Sequence, residues 1–282
     1  EVLGESFVAD ENWLIRTPAY KYIERELDWY MSESLYVDDI PGVTPAIWQQ
    51  VADRAGKINS NYGWAIYHKD NHLQYANVLN ELTFSPNSRR AVMIYTRPTM
   101  WGDHLKNGRS DFMCTNTVQY LIRDGRVHAV VNMRSNDAWA GYRNDYAWQL
   151  YVLEEVVQTL QYRGKNYNRG EIFWNVGSLH IYERQFYLVD HFMETGALSI
   201  TKEQYEKQLE QVQRKAFERN KKIQMAQIVI NTAAGIMKTI GQTGFFGLPL
   251  ALIIGAKTKT TLSAAAGIMS SLSASFTPSA SA

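Results

Sequence analysis

The chain has 282 residues, 45% of them hydrophobic and 12% aromatic, which is enough for one large domain or a domain with an appendage. A single cysteine, Cys114, excludes an intrachain disulfide, so the fold has to rest on its core, and a reducing compartment is the natural setting. The formal charge of +1 conceals an acidic body, with 19 Lys+Arg against 24 Asp+Glu in residues 1–198, and a basic end, with 10 against 4 in residues 199–282; such a body lacks the basic face of a general nucleic-acid binder.

The opening Glu1-Val2-Leu3-Gly4-Glu5 has neither an initiator Met nor a signal-peptide pattern, so the reading frame is expected to begin upstream. Tyr22, Ile23, Leu27 and Tyr30 recur at near-helical spacing and predict a helix over 18–32, with Thr17 as its cap and Pro18 at its first position. Residues 91–95 and 127–133 read as buried strands, the second entered through the turn Arg123-Asp124-Gly125-Arg126. A long apolar helix is expected over 146–162, then a polar loop over 163–170, a strand over 171–176, and a strand or turn running into a helix over 180–192. Of Trp29, Trp64, Trp101, Trp139 and Trp174, most are expected in the core.

At about Ser199 the composition changes. Thr201-Lys202-Glu203-Gln204 has the form of a capping box. Behind it Tyr205, Leu209, Val212, Ala216, Ile223, Ala226 and Ile230 make a narrow, coiled-coil-like seam broken by Arg219. The helix is expected to break around Gly241, Gly244, Gly247 and Pro249 and to give way to an apolar hairpin and a Ser/Ala tail. The apolar run 245–256 contains Pro249 and falls short of the roughly 20 residues that a bilayer span needs. The organisation expected is thus a mixed α/β (α+β) domain over 1–198 and a basic helical extension over 199–282.

A lone cysteine is more often a small buried hydrophobe than a nucleophile. Downstream of Cys114, however, come Arg134-Ser135-Asn136-Asp137, Gly141-Tyr142-Arg143-Asn144-Asp145 and His180-Ile181-Tyr182, which supply arginines and carboxylates suited to an anionic heteroaromatic substrate. Together with Glu26-Leu27-Asp28-Trp29, Asn61-Tyr62-Gly63-Trp64, Ser88-Arg89-Arg90 and Gly177-Ser178-Leu179, these blocks make residues 5–192 resemble the thymidylate synthase superfamily, and within it the deoxycytidylate hydroxymethylase branch of T-even bacteriophages. Residues 199–282 lie outside that resemblance. Their stretch from about 224 to 256 weakly resembles the C-terminal region of phage tail tape-measure proteins, which leaves a fusion with a tail-assembly or oligomerisation element as a rival reading.

The resemblance implies the thymidylate synthase fold, a homodimer, methylenetetrahydrofolate as co-substrate, and attack of the Cys114 thiolate on C6 of a pyrimidine nucleotide. An ordinary thiol is mostly protonated at neutral pH, so Arg134 is expected to help ionise it and, with Ser135, to hold the nucleotide's 5′-phosphate. Arg89 and Arg90 are implied to reach the neighbouring subunit's phosphate. Glu26 and Tyr62 are implied to organise proton transfer and water, Glu26 with a pKa raised by partial burial near Trp29. His180 and Tyr182 are implied to bind the sugar 3′-hydroxyl, and Asp137 to support the site. No metal is expected, because no cluster has ligand spacing.

Asp145 stands where thymidylate synthases have asparagine. A carboxyl accepts from cytosine N4–H and shares a proton with N3, so Asp145 reads as a cytosine selector and dCMP as the substrate. Phe112-Met113 and Thr115 replace the Pro-Pro and His that flank the cysteine in thymidylate synthases, which favours the hydroxymethylase branch. The segment that closes over folate has no recognisable match. The implied reaction is hydroxymethylation of dCMP in host cytoplasm, with C5-methylation as the alternative, since both pass through one exocyclic-methylene intermediate.

Overall fold

The structure is a computed structural model that describes residues 1–197 and 200–243. Two compact units divide the chain, Glu1–Leu198 and Ser199–Ala282. The first runs β1 (Val2–Val8), α1 (Tyr20–Met31), α2 (Ala46–Val51), α3 (Tyr62–Tyr67), α4 (Gln74–Phe84), β2 (Val92–Ile94), α5 (Met100–Asn107), β3 (Thr115–Arg123), β4 (Arg126–Met133), β5 (Asn136–Asp137), α6 (Gly141–Tyr162), β6 (Asn168–His180) and α7 (Phe186–Thr195).

The strands form one sheet in the order β1-β6-β4-β3-β2, with β5 also pairing β6. β3 and β4 are an antiparallel hairpin whose two-residue turn places Asp124 at φ 48° and Gly125 at φ 72°. Positive φ at both positions matches the strand twist, and Asp-Gly tolerates it, so the expected turn forms. β4 and β6 are parallel, which requires a crossover, and α6 supplies it. One side of α6 buries Tyr142, Trp148, Val152, Leu153, Val156 and Leu160 against the sheet and the helices α1 and α4. Trp29, Trp139 and Trp174 are core as expected, Trp64 is half-buried, and Trp101 is 77% exposed.

Several boundaries differ from the sequence expectation. α1 begins at Tyr20 with Ala19 at its cap position, so Thr17 does not cap it; the Thr17 carbonyl instead accepts a hydrogen bond from Arg143. α6 begins at Gly141 rather than 146, because packing of Tyr142 and Arg143 overrides the turn preference of Gly141, Asn144 and Asp145. β6 begins at Asn168, inside the expected loop, and extends to His180, paired on both edges by β1 and β4.

In the second unit α8 (Lys202–Thr243) starts with the expected capping box. Gln204 N–H donates to Thr201 Oγ1 at 3.2 Å and Thr201 N–H to Gln204 Oε1 at 3.1 Å. The helix continues through Gly241, so the expected break does not fall there, and Leu209, Val212 and Ile223 are exposed along it. The expected apolar hairpin and Ser/Ala tail lie outside the described residues. Among the described residues, no helix is long and apolar enough to cross a membrane.

Candidate active site

Three strand ends converge on the cysteine. Arg134, just beyond β4, donates its backbone N–H to the Cys114 carbonyl at 2.9 Å, and Ser178 of β6 donates to the Arg134 carbonyl at 3.1 Å. The approach is close enough that a Cβ on Gly177 would stand 2.9 Å from the Arg134 oxygen, so only glycine fits there. The Arg134 guanidinium folds back along the segment before the thiol, donating to the carbonyls of Met113 (3.0 Å) and Phe112 (2.6 Å). Its Nη2 lies 3.7 Å from the Cys114 sulfur. The arginine is exposed and adjoins half-buried Ser135, an arrangement suited to an incoming anion.

Burial pushes the half-buried Cys114 thiol up to about 12; the charge of Asp145 adds to the rise and Arg134 opposes it. Arg134 therefore acts with the expected sign but does not outweigh burial at the thiol. Desolvation wins.

Asp145 lies on the second turn of α6, and both its oxygens are engaged. Tyr62 Oη donates to Oδ1 at 3.2 Å and Asn136 Nδ2 donates to Oδ2 at 2.7 Å. Burial, followed by the charge of Glu26, raises the carboxyl to about 8 against these two hydrogen bonds. Glu26, on α1, is only 5% exposed, a deeper burial than the partial enclosure near Trp29 expected from the sequence. Burial lifts Glu26 to about 7, opposed by a hydrogen bond from Tyr22 and by Arg143. Cys114, Asp145, Tyr62 and Glu26 thus form one electrostatically coupled group around a partly buried centre.

What holds Tyr62 against the cysteine is Asp111, three residues before it. The buried Asp111 carboxylate accepts from the backbone N–H groups of Asn59 and Ser60 and from Ser60 Oγ, all at 2.7 Å, tying the entry of α3 to the segment that carries Cys114. Gly63 lets α3 approach α1, since a Cβ there would fall 1.8 Å from the Tyr30 carbonyl oxygen.

His180 ends β6 opposite Asp137 of β5, so strand pairing brings it to the loop that carries Arg134 and Ser135. The Tyr182 ring meets it edge-on at 5.0 Å, and a cleft of about 330 Å³ opens beside Leu179, His180 and Ile181. Arg89 and Arg90 are not brought to Cys114. They precede the edge strand β2, whose Val92 pairs with Gln119, and Arg90 is held at 2.9 Å by Glu81. Nothing in the sequence assigns a site role to Asn136, Asp111, Tyr22 or Trp48. Asn136 sat in plain view beside Ser135, but nothing local marks it as a partner of a residue nine positions on.

The profile of the thymidylate synthase family matches residues 14–239. The chain belongs to the thymidylate synthase family. That match passes residue 192, where the motif resemblance ended, and enters α8. Deoxycytidylate 5-hydroxymethyltransferase of Enterobacteria phage T4 is 59% identical over 207 residues, covering 73% of this chain and 84% of the relative, and the phage T6 protein of that name aligns equally well. Thymidylate synthase of Bacillus atrophaeus is 27% identical over 174 residues, covering 59% of this chain and 72% of the relative. Among solved thymidylate synthase structures, thermostable thymidylate synthase A from Bacillus subtilis superposes with TM-score 0.54 at 25% identity, covering 68% of this chain and 70% of that one. The phage T4 thymidylate synthase gives 0.53 at 20% identity, over 68% and 69%. The fold is that of thymidylate synthase. The tape-measure likeness gains no support from these matches.

Proposed function

We propose that the chain is a deoxycytidylate 5-hydroxymethyltransferase, converting dCMP, methylenetetrahydrofolate and water to 5-hydroxymethyl-dCMP and tetrahydrofolate in host cytoplasm. The observation that carries the reading is the Asp145 carboxyl, gripped by Tyr62 and Asn136 and coupled to Cys114. A carboxyl raised to about 8 is mainly neutral at pH 7. It therefore has a proton to donate to cytosine N3, while its other lone pairs accept from N4–H. Uracil presents the opposite pattern at both positions. The 59% identity to the phage enzymes supports the same assignment.

In this reading Arg134 and Ser135 hold the 5′-phosphate, and His180 and Tyr182 hold the sugar. Cys114 gives up its proton to water beside Arg134, and the Sγ thiolate adds to C6. Proton donation from Asp145 to N3 withdraws electrons from the ring and favours that addition. The folate supplies the one-carbon unit at formaldehyde oxidation level, and the aromatic surface made by Phe112, two residues before the thiol, and exposed Trp101, packed on it at 5.1 Å between centroids and a 60° tilt, suits contact with such a ring system. C5 bonds to that one-carbon unit. Glu26, with a pKa of about 7, then takes the C5 proton and passes it to the tetrahydrofolate nitrogen, which leaves to give the exocyclic methylene. It next takes a proton from the water that adds there, after which Cys114 departs as the C5–C6 double bond re-forms. A homodimer in which Arg89 and Arg90 serve the neighbouring site accounts for their distance from Cys114 within one chain.

Incubating the full chain with methylenetetrahydrofolate and either dCMP or dUMP, with products read by mass, tests the proposal. Hydroxymethylated dCMP is expected. A 5-methyl product, or a preference for dUMP, would overturn it.

A further inference from the structure

Glu26 is served by a hydrogen-bond chain that none of the site motifs contains. Trp48 of α2 donates its indole N–H to Tyr22 Oη at 3.0 Å, and Tyr22, one turn before Glu26 on α1, donates to Glu26 Oε1 at 2.8 Å. The Trp48 ring is itself set by packing on buried Trp29, with centroids 5.7 Å apart.

The direction of this chain is forced. An indole N–H only donates, and a phenol has one proton. The Tyr22 oxygen receives the Trp48 proton, so its own hydrogen has to go to Glu26. Burial and the nearby Glu26 charge both raise Tyr22 above its ordinary value, so that hydrogen stays on the phenol across the working pH range. Oε1 of Glu26 is consequently always an acceptor. If Glu26 took up a proton there, two hydrogens would meet head to head, and reversing Tyr22 would break its bond from Trp48.

We propose that Tyr22, oriented by Trp48, is a positioning residue that confines the exchangeable proton of Glu26 to Oε2. Tyr22 also stabilises the carboxylate form, so it keeps Glu26 able to act as a base despite burial. The other charged or titratable groups that bear on Glu26 are Tyr30 on its own helix and Arg143 and Asp145 on α6. Arg143 favours the carboxylate, whereas Asp145 in its ionised form opposes it. The catalytic meaning of the relay rests on the function proposed above; its effect on Glu26 does not.

The protonated-carboxyl infrared band of the full chain, assigned by its loss in Glu26→Gln, reports the Glu26 titration without substrate. Tyr22→Phe is expected to move the midpoint upward by about one pH unit, roughly tenfold in proton affinity, through loss of a donor to the charged form. Trp48→Phe should move it upward by less, and Tyr22→Phe/Trp48→Phe should match Tyr22→Phe alone, because Trp48 acts through Tyr22. Should the phenylalanine variant not fold, 3,5-difluorotyrosine at position 22 keeps the packing, strengthens the donor and should lower the midpoint. An unmoved midpoint in either position-22 variant, or a Trp48→Phe shift that persists in full without the Tyr22 hydroxyl, overturns the relay. Failure of the unaltered chain to hydroxymethylate dCMP would sink the proposed function while leaving a shifted midpoint, and with it the relay, intact.

Discussion

Asn136 Nδ2 donates to Asp145 Oδ2 at 2.7 Å, so the Asn136 carboxamide is held with its Oδ1 turned away from that oxygen. That Oδ1 is buried without a hydrogen-bond partner among the described residues. The pair therefore fixes the rotamer of Asp145 and leaves Asn136 able to rotate its amide if position 145 changes.

Asp145→Asn exploits this freedom. The new amide can accept from Tyr62, and Asn136 can flip to present Oδ1 to its NH₂ group. The variant should fold and should move preference from dCMP toward dUMP, since an amide both donates to O4 and accepts from N3–H. Mispairing with cytosine should lower kcat/KM for dCMP by about 10²-fold or more, the scale of a buried hydrogen-bond mismatch. Competition between the two nucleotides gives the ratio directly; full retention of dCMP preference would refute the selector role.

The same substitution reads out the burial of the carboxyl. Asp145 is raised from 3.8 to about 8 and Glu26 from 4.5 to about 7, so between pH 4 and 8 these two groups hold more protons in the native chain than in the unfolded chain. Stability from these groups is complete below about pH 4 and is lost as pH rises toward 8. Asp145 is half-buried, and solvent screening reduces its share to about 1–2 kcal/mol over that window. Thermal melts at pH 5 and pH 8.5 should show Asp145→Asn gaining Tm relative to the unaltered chain only at the higher pH, by a few degrees.

The thiol should be slow when free and depend on Arg134. With Cys114 pushed up to about 12, alkylation by iodoacetamide at pH 7 should be far slower than for an ordinary cysteine and should climb about tenfold per pH unit to pH 10. Arg134→Ala removes a charge that opposes the rise, so its alkylation should be slower still. A rate that levels off near pH 8 would contradict this. Cys114→Ser should abolish turnover, by at least about 10³-fold.

Two chains should complete one site if Arg89 and Arg90 serve a neighbour. Arg89→Ala/Arg90→Ala and Cys114→Ser chains, each inactive alone, should regain activity when refolded together, because a mixed dimer contains one site with all residues intact. Absence of recovery in a mixture that forms dimers would sink the shared-site proposal.

Backbone contacts make a sharp structural contrast. Gly63→Ala places a Cβ 1.8 Å from the Tyr30 carbonyl oxygen and should cost at least about 3 kcal/mol, a Tm loss of about 6 °C or more. Gly164→Ala meets nothing within 4 Å and has only its φ of +78° to oppose it, so about 1 kcal/mol is expected. Calorimetry of both variants separates steric from conformational cost.

The elements legible in sequence were those with local causes. Asp124-Gly125 turns the β3–β4 hairpin because both residues tolerate positive φ, and Thr201 with Gln204 caps α8 because the bonds span three residues. The single thiol and the residue type at position 145 were equally open to reading. The start of α1, the early start of α6 and the length of β6 were not, because Arg143 reaching Thr17 and the pairing of β6 on both edges depend on the assembled sheet.

For the site the division is the same. The sequence alone determined which groups exist: one sulfur, an aspartate at position 145, a glutamate at 26 and arginines at 89, 90 and 134. Only the tertiary structure decided their states. Burial outweighs Arg134 at Cys114, Glu26 is enclosed rather than exposed, Asn136 and Tyr62 share Asp145 between them, and Trp48 sets the direction of Tyr22. Proton affinity depends on desolvation and on partners from distant segments, and neither exists until the chain has folded.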